Sequence, residues 1–319
     1  MSKKIALFFH HLNDARMEKI RATAPDFIFI DMTKNESDEA LADCEIAFGH
    51  MSPAQVKAAR NLKWLHTQSA GVDSYLKPDY GLPETLTLTN SSGAYGPAVS
   101  EHLLTVTLML LRRMGEYGRL QSQRKWENRG RVQSMLQSTI TVVGLGDIGA
   151  CYAKRCHVLG ATVRGVARTS RANKPDYVEK LFTVDKLDEA ITDADVVALC
   201  LPGTDETAHI IDKPRMMRMK TGAFILNIGR GSAIDQEALI DLLENGHLGG
   251  AGLDVATPEP LPADSKLWDM PNVILTPHIS GGESMEYTLD LIVDKFARYL
   301  QDYAAGQPFT RVVDKALGY

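Results

Sequence analysis

The chain has 319 residues, 44% of them hydrophobic, with a formal net charge of −5 and a pI near 6.0; that length exceeds the usual span of one domain and predicts two. The acidic balance leaves no basic footprint for a nucleic-acid partner, and no apolar run approaches the ~18 residues of a membrane span. The apolar run in MSKKIALFF is too short for a signal peptide and no small-residue cleavage pattern follows it, so a soluble, cytoplasmic protein is expected.

In chain order, KIALFF, DFIFIDM, EIAFGHM, LKWLHTQ and TLTLTN read as strands within the first 90 residues, with helical DARMEKIRATA and SPAQVKAARN between them. Strand and helix alternating over short connections predict an α/β domain with a mostly parallel sheet covered on both faces. GAYGPAVSEHLLTVTLMLLRRMGEYGR reads as one long apolar helix begun near Pro97. A second alternating series follows, with six strands: TITVVG, TVRGVA, DVVALCL, AFILNIG, GAGLDV and NVILTP. Six strands at this spacing predict a second doubly wound sheet, and the closing helix SMEYTLDLIVDKFARYLQDYAAG is expected to pack back on the first domain. Cys44, Cys151, Cys156 and Cys200 form no C-x-x-C pair, which favours reduced thiols and no metal.

VVGLGDIG places Gly144, Gly146 and Gly149 as G-x-G-x-x-G between an apolar strand and a helix. In that frame the glycines permit a tight turn, backbone approach to a pyrophosphate and close helix–strand packing, while the helix N-terminus favours the phosphate charge. An NAD site continues with an acid about 20 positions on, for the ribose hydroxyls. Ala167 stands there instead, followed by Arg168, Thr169, Ser170 and Arg171. Donors without a carboxylate suit a 2′-phosphate, so NADP(H) is favoured; if these arginines are merely solvated, NAD(H) is the alternative.

Three further segments each end a strand with a polar residue: FILNIGRGS gives Arg230, GLDVATPEPLP gives Glu259 and VILTPHISGG gives His278. Ligands of an open parallel sheet bind beyond the carboxyl ends of its strands, so the three are expected to converge on one cleft. Singly they read as a loop cap, a surface acid and a semi-buried histidine. Together a cation, a carboxylate and an imidazole beside a nicotinamide form a set with assignable roles.

SAGVD at 69–73, GLGDIG, NIGRGS, LDVATPEPLP and TPHISGG, in this order, resemble the signatures of the D-isomer-specific 2-hydroxyacid dehydrogenase family, in its glyoxylate/hydroxypyruvate reductase-like or D-2-oxoacid reductase-like branch. The resemblance covers essentially the whole chain. It implies a flavodoxin-like substrate domain, residues 1–98 and 282–319, with a Rossmann coenzyme domain, residues 99–281, inserted into it, and a homodimer built through residues 97–135. It implies reversible reduction of a small 2-oxo acid to the D-2-hydroxy acid: Arg230 holds the carboxylate and 2-oxo oxygen, His278 exchanges the proton, and Glu259 pairs with His278. A guanidinium fork matches a planar carboxylate and stabilises a developing alkoxide, which gives Arg230 a reason to stand at the end of a core strand. Backbone N–H groups of Ala70, Gly71 and Val72 are expected on the same carboxylate, and Met51 at the substrate's alkyl end. Asp147, Ile148, Pro202, Thr207, Ile228, Asp254 and Gly281 match positions lining the coenzyme, Asp254 at the nicotinamide carboxamide. Glutamine replaces Glu259 in the relative that uses formate, and no Y-x-x-x-K occurs, which disfavours two other dehydrogenase chemistries. The alternative class is a dinucleotide-sensing interaction protein resembling the corepressors of this fold, with little turnover.

Overall fold

The structure is a computed structural model that describes residues 2–34, 37–169, 174–282 and 285–319. The chain divides into two compact units, Met1–Tyr95 with Glu283–Tyr319, and Gly96–Gly282.

The first unit runs β1 (Lys4–Phe8), α1 (Asp14–Thr23), β2 (Ile28–Asp31), α2 (Asp38–Ala42), β3 (Ile46–Gly49), α3 (Pro53–Ala58), β4 (Trp64–Thr67) and β5 (Thr87–Asn90). All five strands are parallel, in the order β2-β1-β3-β4-β5, the flavodoxin-like arrangement. β3 and β4 are buried along their whole length; β3 reads as an unbroken apolar run, while β4 buries two polar residues, His66 and Thr67. α3 starts where it does because Ser52 accepts from Gln55 N while the Gln55 side chain accepts from Ser52 N, with Pro53 in the first turn. The chain's last helix, α10 (Glu286–Ala304), belongs to this unit. Arg16 of α1, almost fully buried, ties to it through Asp290 at 2.8 Å and through Glu286. Phe296 of α10 stacks on Phe48 with centroids 4.1 Å apart, worth about 1 kcal/mol beyond area burial.

Beside that stack lies His66, with no exposed surface. Ser91 Oγ donates to Thr67 O, so it must accept from His66 Nε2, and Thr89 Oγ1, 2.7 Å away, then donates to Nδ1. Burial, reinforced by the nearby Lys295 charge, pushes this imidazole down to about 3, keeping it neutral.

The second unit opens with α4 (Gly96–Leu111) and α5 (Met114–Ser122). The single long helix expected here is two: Arg113 adopts φ 57° between them, and its guanidinium pairs with Glu116 at 2.8 Å inside the new first turn. Then come β6 (Thr139–Val143), α6 (Asp147–Val158), β7 (Thr162–Ala167), β8 (Lys180–Thr183), α7 (Leu187–Thr192), β9 (Val196–Leu199), α8 (Lys213–Arg218), β10 (Ala223–Asn227), α9 (Gln236–Glu244), β11 (Leu248–Leu253) and β12 (Val273–Leu275). The seven strands are all parallel, ordered β12-β11-β10-β9-β6-β7-β8, one more than the six expected. The addition is β8, a four-residue edge strand with one fully buried side chain. The order reverses between β6 and β9, so the loop after β6 lies at the switch point where doubly wound sheets bind ligands. No helix of the described residues is long and apolar enough to cross a membrane.

Candidate active site

The turn after β6 is built for close approach. Gly144 has φ 95°, and a Cβ on it would lie 2.4 Å from Cys200 O; a Cβ on Gly149 would lie 1.9 Å from Gly144 O. Gly146, which precedes the first residue of α6, faces open space, with nothing within 4 Å of a Cβ position. Two glycines thus pack the turn and one leaves room above the N-terminus of a 12-residue helix, the arrangement a pyrophosphate requires. Ile148 is half-buried in the first turn of α6. The Asp147 carboxylate accepts Gly96 N at 2.8 Å, holding the start of α4.

β7 ends at the buried Ala167, and Arg168 and Thr169 follow as exposed residues. Ser170 and Arg171 lie outside the described residues. Beyond β9, Pro202 is exposed, and Thr207 Oγ1 donates to Pro202 O at 2.7 Å while accepting from Thr204 N at 3.0 Å. Thr207 therefore shapes the loop with its side chain.

At the end of β10, Asn227 clamps the Arg230 turn. Its Oδ1 accepts Gly229 N at 3.1 Å and its Nδ2 donates to Arg230 O at 2.8 Å. Ile228 is buried beneath the turn. Neither glycine flanking Arg230 has positive φ; what they supply is room for close approach. A Cβ on Gly229 would lie 2.4 Å from Leu201 O, and one on Gly231 would lie 2.1 Å from Ala256 O. The Arg230 side chain is partly exposed, passes along Gly203 and donates from Nη1 to Gly229 O at 2.8 Å.

The close contact of Gly231 with Ala256 joins this turn to the loop after β11. Ala256 N donates to Glu259 Oε1 at 3.1 Å, and Glu259 Oε2 lies 2.8 Å from His278 Nδ1, in the loop after β12. Gln236 of α9 braces the same loop, accepting Thr257 N and donating to Thr257 O. Adjacent parallel strands β10, β11 and β12 thus present Arg230, Glu259 and His278 at one edge of the sheet. An ionised Glu259 only accepts, so Nδ1 carries the proton and Nε2 is the nitrogen left for a ligand.

Asp254, fully buried, organises the turn that carries His278. Its carbonyl accepts His278 N at 2.8 Å, its Oδ1 accepts Ile279 N at 2.9 Å and its Oδ2 accepts Ser280 N at 3.0 Å. Burial alone would raise this carboxyl, but donors from Ser280, Thr276 and Ile279 hold it below its ordinary value, so it is ionised. His278 sits at φ 54°, a conformation non-glycine residues seldom adopt. Gly281 follows this turn, partly exposed.

In the first unit, the loop after β4 shows a lopsided use of its backbone. The carbonyls of Ser69, Ala70, Gly71 and Val72 accept from Ser91 N, Asn90 Nδ2, Ser69 Oγ and Tyr75 N respectively. The N–H groups of Ala70, Gly71 and Val72 have no hydrogen-bond partner among the described residues, the pattern of an anion-binding nest. Met51 does not face a ligand as expected. Its side chain has no exposed surface and packs with Phe8, Leu65, Val72 and Tyr75 in this unit's core, while the residue exposed after β3 is His50.

Two residues that shape the site escaped the sequence reading, Asn227 and Gln236. The first carried a signal, a polar side chain closing an otherwise apolar strand; the second carried none.

Residues 104–280 match the family model described as D-isomer specific 2-hydroxyacid dehydrogenase, NAD binding domain. The chain is 32% identical over 277 residues to glyoxylate/hydroxypyruvate reductase A of Enterobacter sp. (strain 638), covering 84% of this chain and 85% of that one. A D-isomer specific 2-hydroxyacid dehydrogenase family protein from Aeromonas salmonicida superposes with a TM-score of 0.85 at 30% identity, over 99% of this chain and 100% of that one. The NADPH-dependent glyoxylate/hydroxypyruvate reductase of Sinorhizobium meliloti, solved with NADP and sulfate, gives 0.84 at 26% identity over 100% of each chain. With the model matching more than half the chain and a relative above 30% identity along most of it, this protein belongs to the D-isomer specific 2-hydroxyacid dehydrogenase family.

Proposed function

We propose that the protein is an oxidoreductase that reduces a small 2-oxo acid to the D-2-hydroxy acid, reversibly and with NADPH preferred over NADH. The observation that carries the reading is the 2.8 Å pairing of Glu259 with His278 Nδ1, at the sheet edge that also presents Arg230. Gly96–Gly282 is assigned to the coenzyme, and the remainder of the chain to the substrate. The glycine turn fits a dinucleotide because its open position, Gly146, lies at a helix N-terminus. A bound reduced nicotinamide supplies the hydride.

Each side chain then has a task. The Arg230 guanidinium binds the substrate's carboxylate and carbonyl oxygen and stabilises negative charge on that oxygen. The Ala70, Gly71 and Val72 N–H groups are assigned to the carboxylate as well. His278 delivers a proton from Nε2 to the carbonyl oxygen in reduction and removes it in oxidation. Glu259 holds the Nδ1 proton, so Nε2 is always the exchanging atom. NADPH preference rests on Ala167, which leaves no carboxylate to repel a 2′-phosphate, and on Arg168 and Thr169, exposed immediately after it. The S. meliloti relative, NADPH-dependent by name, supports that choice.

We also infer a homodimer in a reducing compartment such as the cytoplasm. Residues 123–134 are exposed without a break, and Trp126 is wholly exposed, a large apolar area for a monomer to leave in water. All four cysteines are free, and burial pushes the Cys156 and Cys200 thiols up to about 12.

The test is the initial rate of nicotinamide oxidation with NADPH and with NADH across glyoxylate, hydroxypyruvate, pyruvate, 2-oxoisocaproate and phenylpyruvate. Turnover with NADPH preferred supports both halves of the reading. Binding of a coenzyme without turnover of any oxo acid would move the protein to the sensing class.

A further inference from the structure

We infer that His102 is a positioning residue for His278, acting through Thr276 and Asp254. The inference deepens the proposed reading, in which His278 exchanges the proton.

His102 lies on α4, with its side chain about four-fifths buried. Its Nε2 is 3.2 Å from Thr276 Oγ1 and 3.9 Å from Asp254 Oδ1. Thr276 Oγ1 donates to Asp254 Oδ1 at 2.6 Å. The direction of this chain follows from its last member. Asp254 is ionised and can only accept, so the single Thr276 hydroxyl proton is committed to it. Thr276 Oγ1 can therefore only accept from the imidazole, and His102 Nε2 carries hydrogen whether the ring is neutral or protonated. The order is N–H to hydroxyl to carboxylate, each bond polarising the next.

The same carboxylate is the anchor of the His278 turn. Thr276 Oγ1 and Ile279 N share Oδ1, Ser280 N holds Oδ2, and His278 N is held by the Asp254 carbonyl. These bonds bracket His278 on both sides while it occupies its unfavourable left-handed backbone conformation. Thr276 is two residues from His278, so a donor that fixes the Thr276 hydroxyl fixes the approach to the turn as well. His102 touches neither substrate nor coenzyme in this scheme; it sets the orientation of the group that does.

Three variants test this: His102→Leu removes the donor, His102→Gln replaces it with an amide N–H at a similar reach, and Thr276→Val breaks the chain one link later. His102→Leu and Thr276→Val are each expected to lower kcat about five- to tenfold, the rate equivalent of one neutral hydrogen bond, with KM for NADPH unchanged. The double variant should be no slower than either single, and His102→Gln should restore most of the rate. In coenzyme-free protein, the imidazole ¹⁵N shifts should show His102 with hydrogen on Nε2. Amide exchange at Ile279 and Ser280 should speed up in His102→Leu and Thr276→Val. Wild-type rates in both of those variants, multiplicative losses in the double variant, or a neutral His102 with hydrogen only on Nδ1 would overturn the inference. If the wild-type protein reduces no 2-oxo acid, the functional reading fails instead, and the tautomer and exchange data still decide the role of His102.

Discussion

Glu259 Oε2 lies 2.8 Å from His278 Nδ1, and the other Glu259 oxygen is fixed by Ala256 N. The carboxylate is thus held by its own loop before it meets the imidazole, and the pair arrives oriented. His278→Ala is expected to lower kcat by about 10²–10⁴-fold, the usual worth of a positioned acid–base group. Glu259→Gln keeps an acceptor but loses the charge and should cost roughly tenfold or more. Neither should weaken NADPH binding measured by fluorescence titration. Unchanged turnover in the His278 variant removes it from proton transfer.

Gly231 and Gly146 make a paired test of what the two glycine turns do. A methyl on Gly231 would collide with the Ala256 carbonyl, part of the loop that carries Glu259, so Gly231→Ala should reduce kcat/KM and lower the melting temperature together. A methyl on Gly146 meets nothing in the protein. Gly146→Ala should leave stability within about 0.5 kcal/mol and weaken dinucleotide binding by at least about tenfold, because the space it fills is the ligand's. Full NADPH affinity in Gly146→Ala would show that no phosphate approaches there.

The two sheets are legible in the sequence because a parallel strand covered on both faces is largely apolar, as in Ala223–Leu226. β8 escapes because an edge strand with one fully buried residue carries no such run. The break after α4 escapes because apolar periodicity continues through it; the pairing of Arg113 with Glu116 accompanies the break, and an i to i+3 ion pair is equally at home inside a helix. Arg230, Glu259 and His278 stand out because charged or titratable side chains directly beyond core strands need a reason. Met51 shows the opposite limit. It follows a strand just as they do, but an apolar side chain there is satisfied by the core, and only the burial of its neighbours decides.

Coenzyme choice turns on the end of β7. Ala167→Asp places a carboxylate where ribose hydroxyls would be bound and a 2′-phosphate repelled. The ratio of kcat/KM for NADPH to that for NADH should fall at least about tenfold, and Arg168→Ala should move it the same way by loss of a charged donor. Equal use of both coenzymes by the wild-type protein would sink the assignment of NADPH.

Stability should fall on mild acidification because of His66. Its folded value of about 3 lies below its ordinary 6.5, so the unfolded chain binds the extra proton between those limits. The stabilisation is complete above pH 6.5 and declines toward pH 3, by up to about 1.4 kcal/mol per pH unit. Asp254, held below its ordinary 3.8, adds its own loss as pH falls below that value. Urea midpoints at pH 7.5 and 5.5 should therefore differ in the wild-type protein, and the difference should shrink in His66→Gln. An equal difference in both would assign the pH response elsewhere.

Trp126 offers the clearest test of self-association. It is wholly exposed within a segment that lacks regular secondary structure, and that segment is braced from below: Arg129 N donates to the Tyr117 hydroxyl of α5, and the Arg129 guanidinium pairs with Glu116 at 3.2 Å. An arm held in place while its largest apolar side chain faces water suits burial against a second copy, because little ordering entropy remains to be lost on association. Light scattering on the eluted wild-type protein should give twice the 35.1 kDa chain mass at micromolar concentration. Trp126→Ser, which removes apolar contact without touching Tyr117 or Glu116, should raise the dissociation constant by at least about tenfold, on the scale of an aromatic hot spot. Its melting temperature should become lower and less dependent on protein concentration, since the folded state then draws less on association. A wild-type monomer at those concentrations, or a Trp126→Ser dimer of undiminished strength, would show that this arm has a different use.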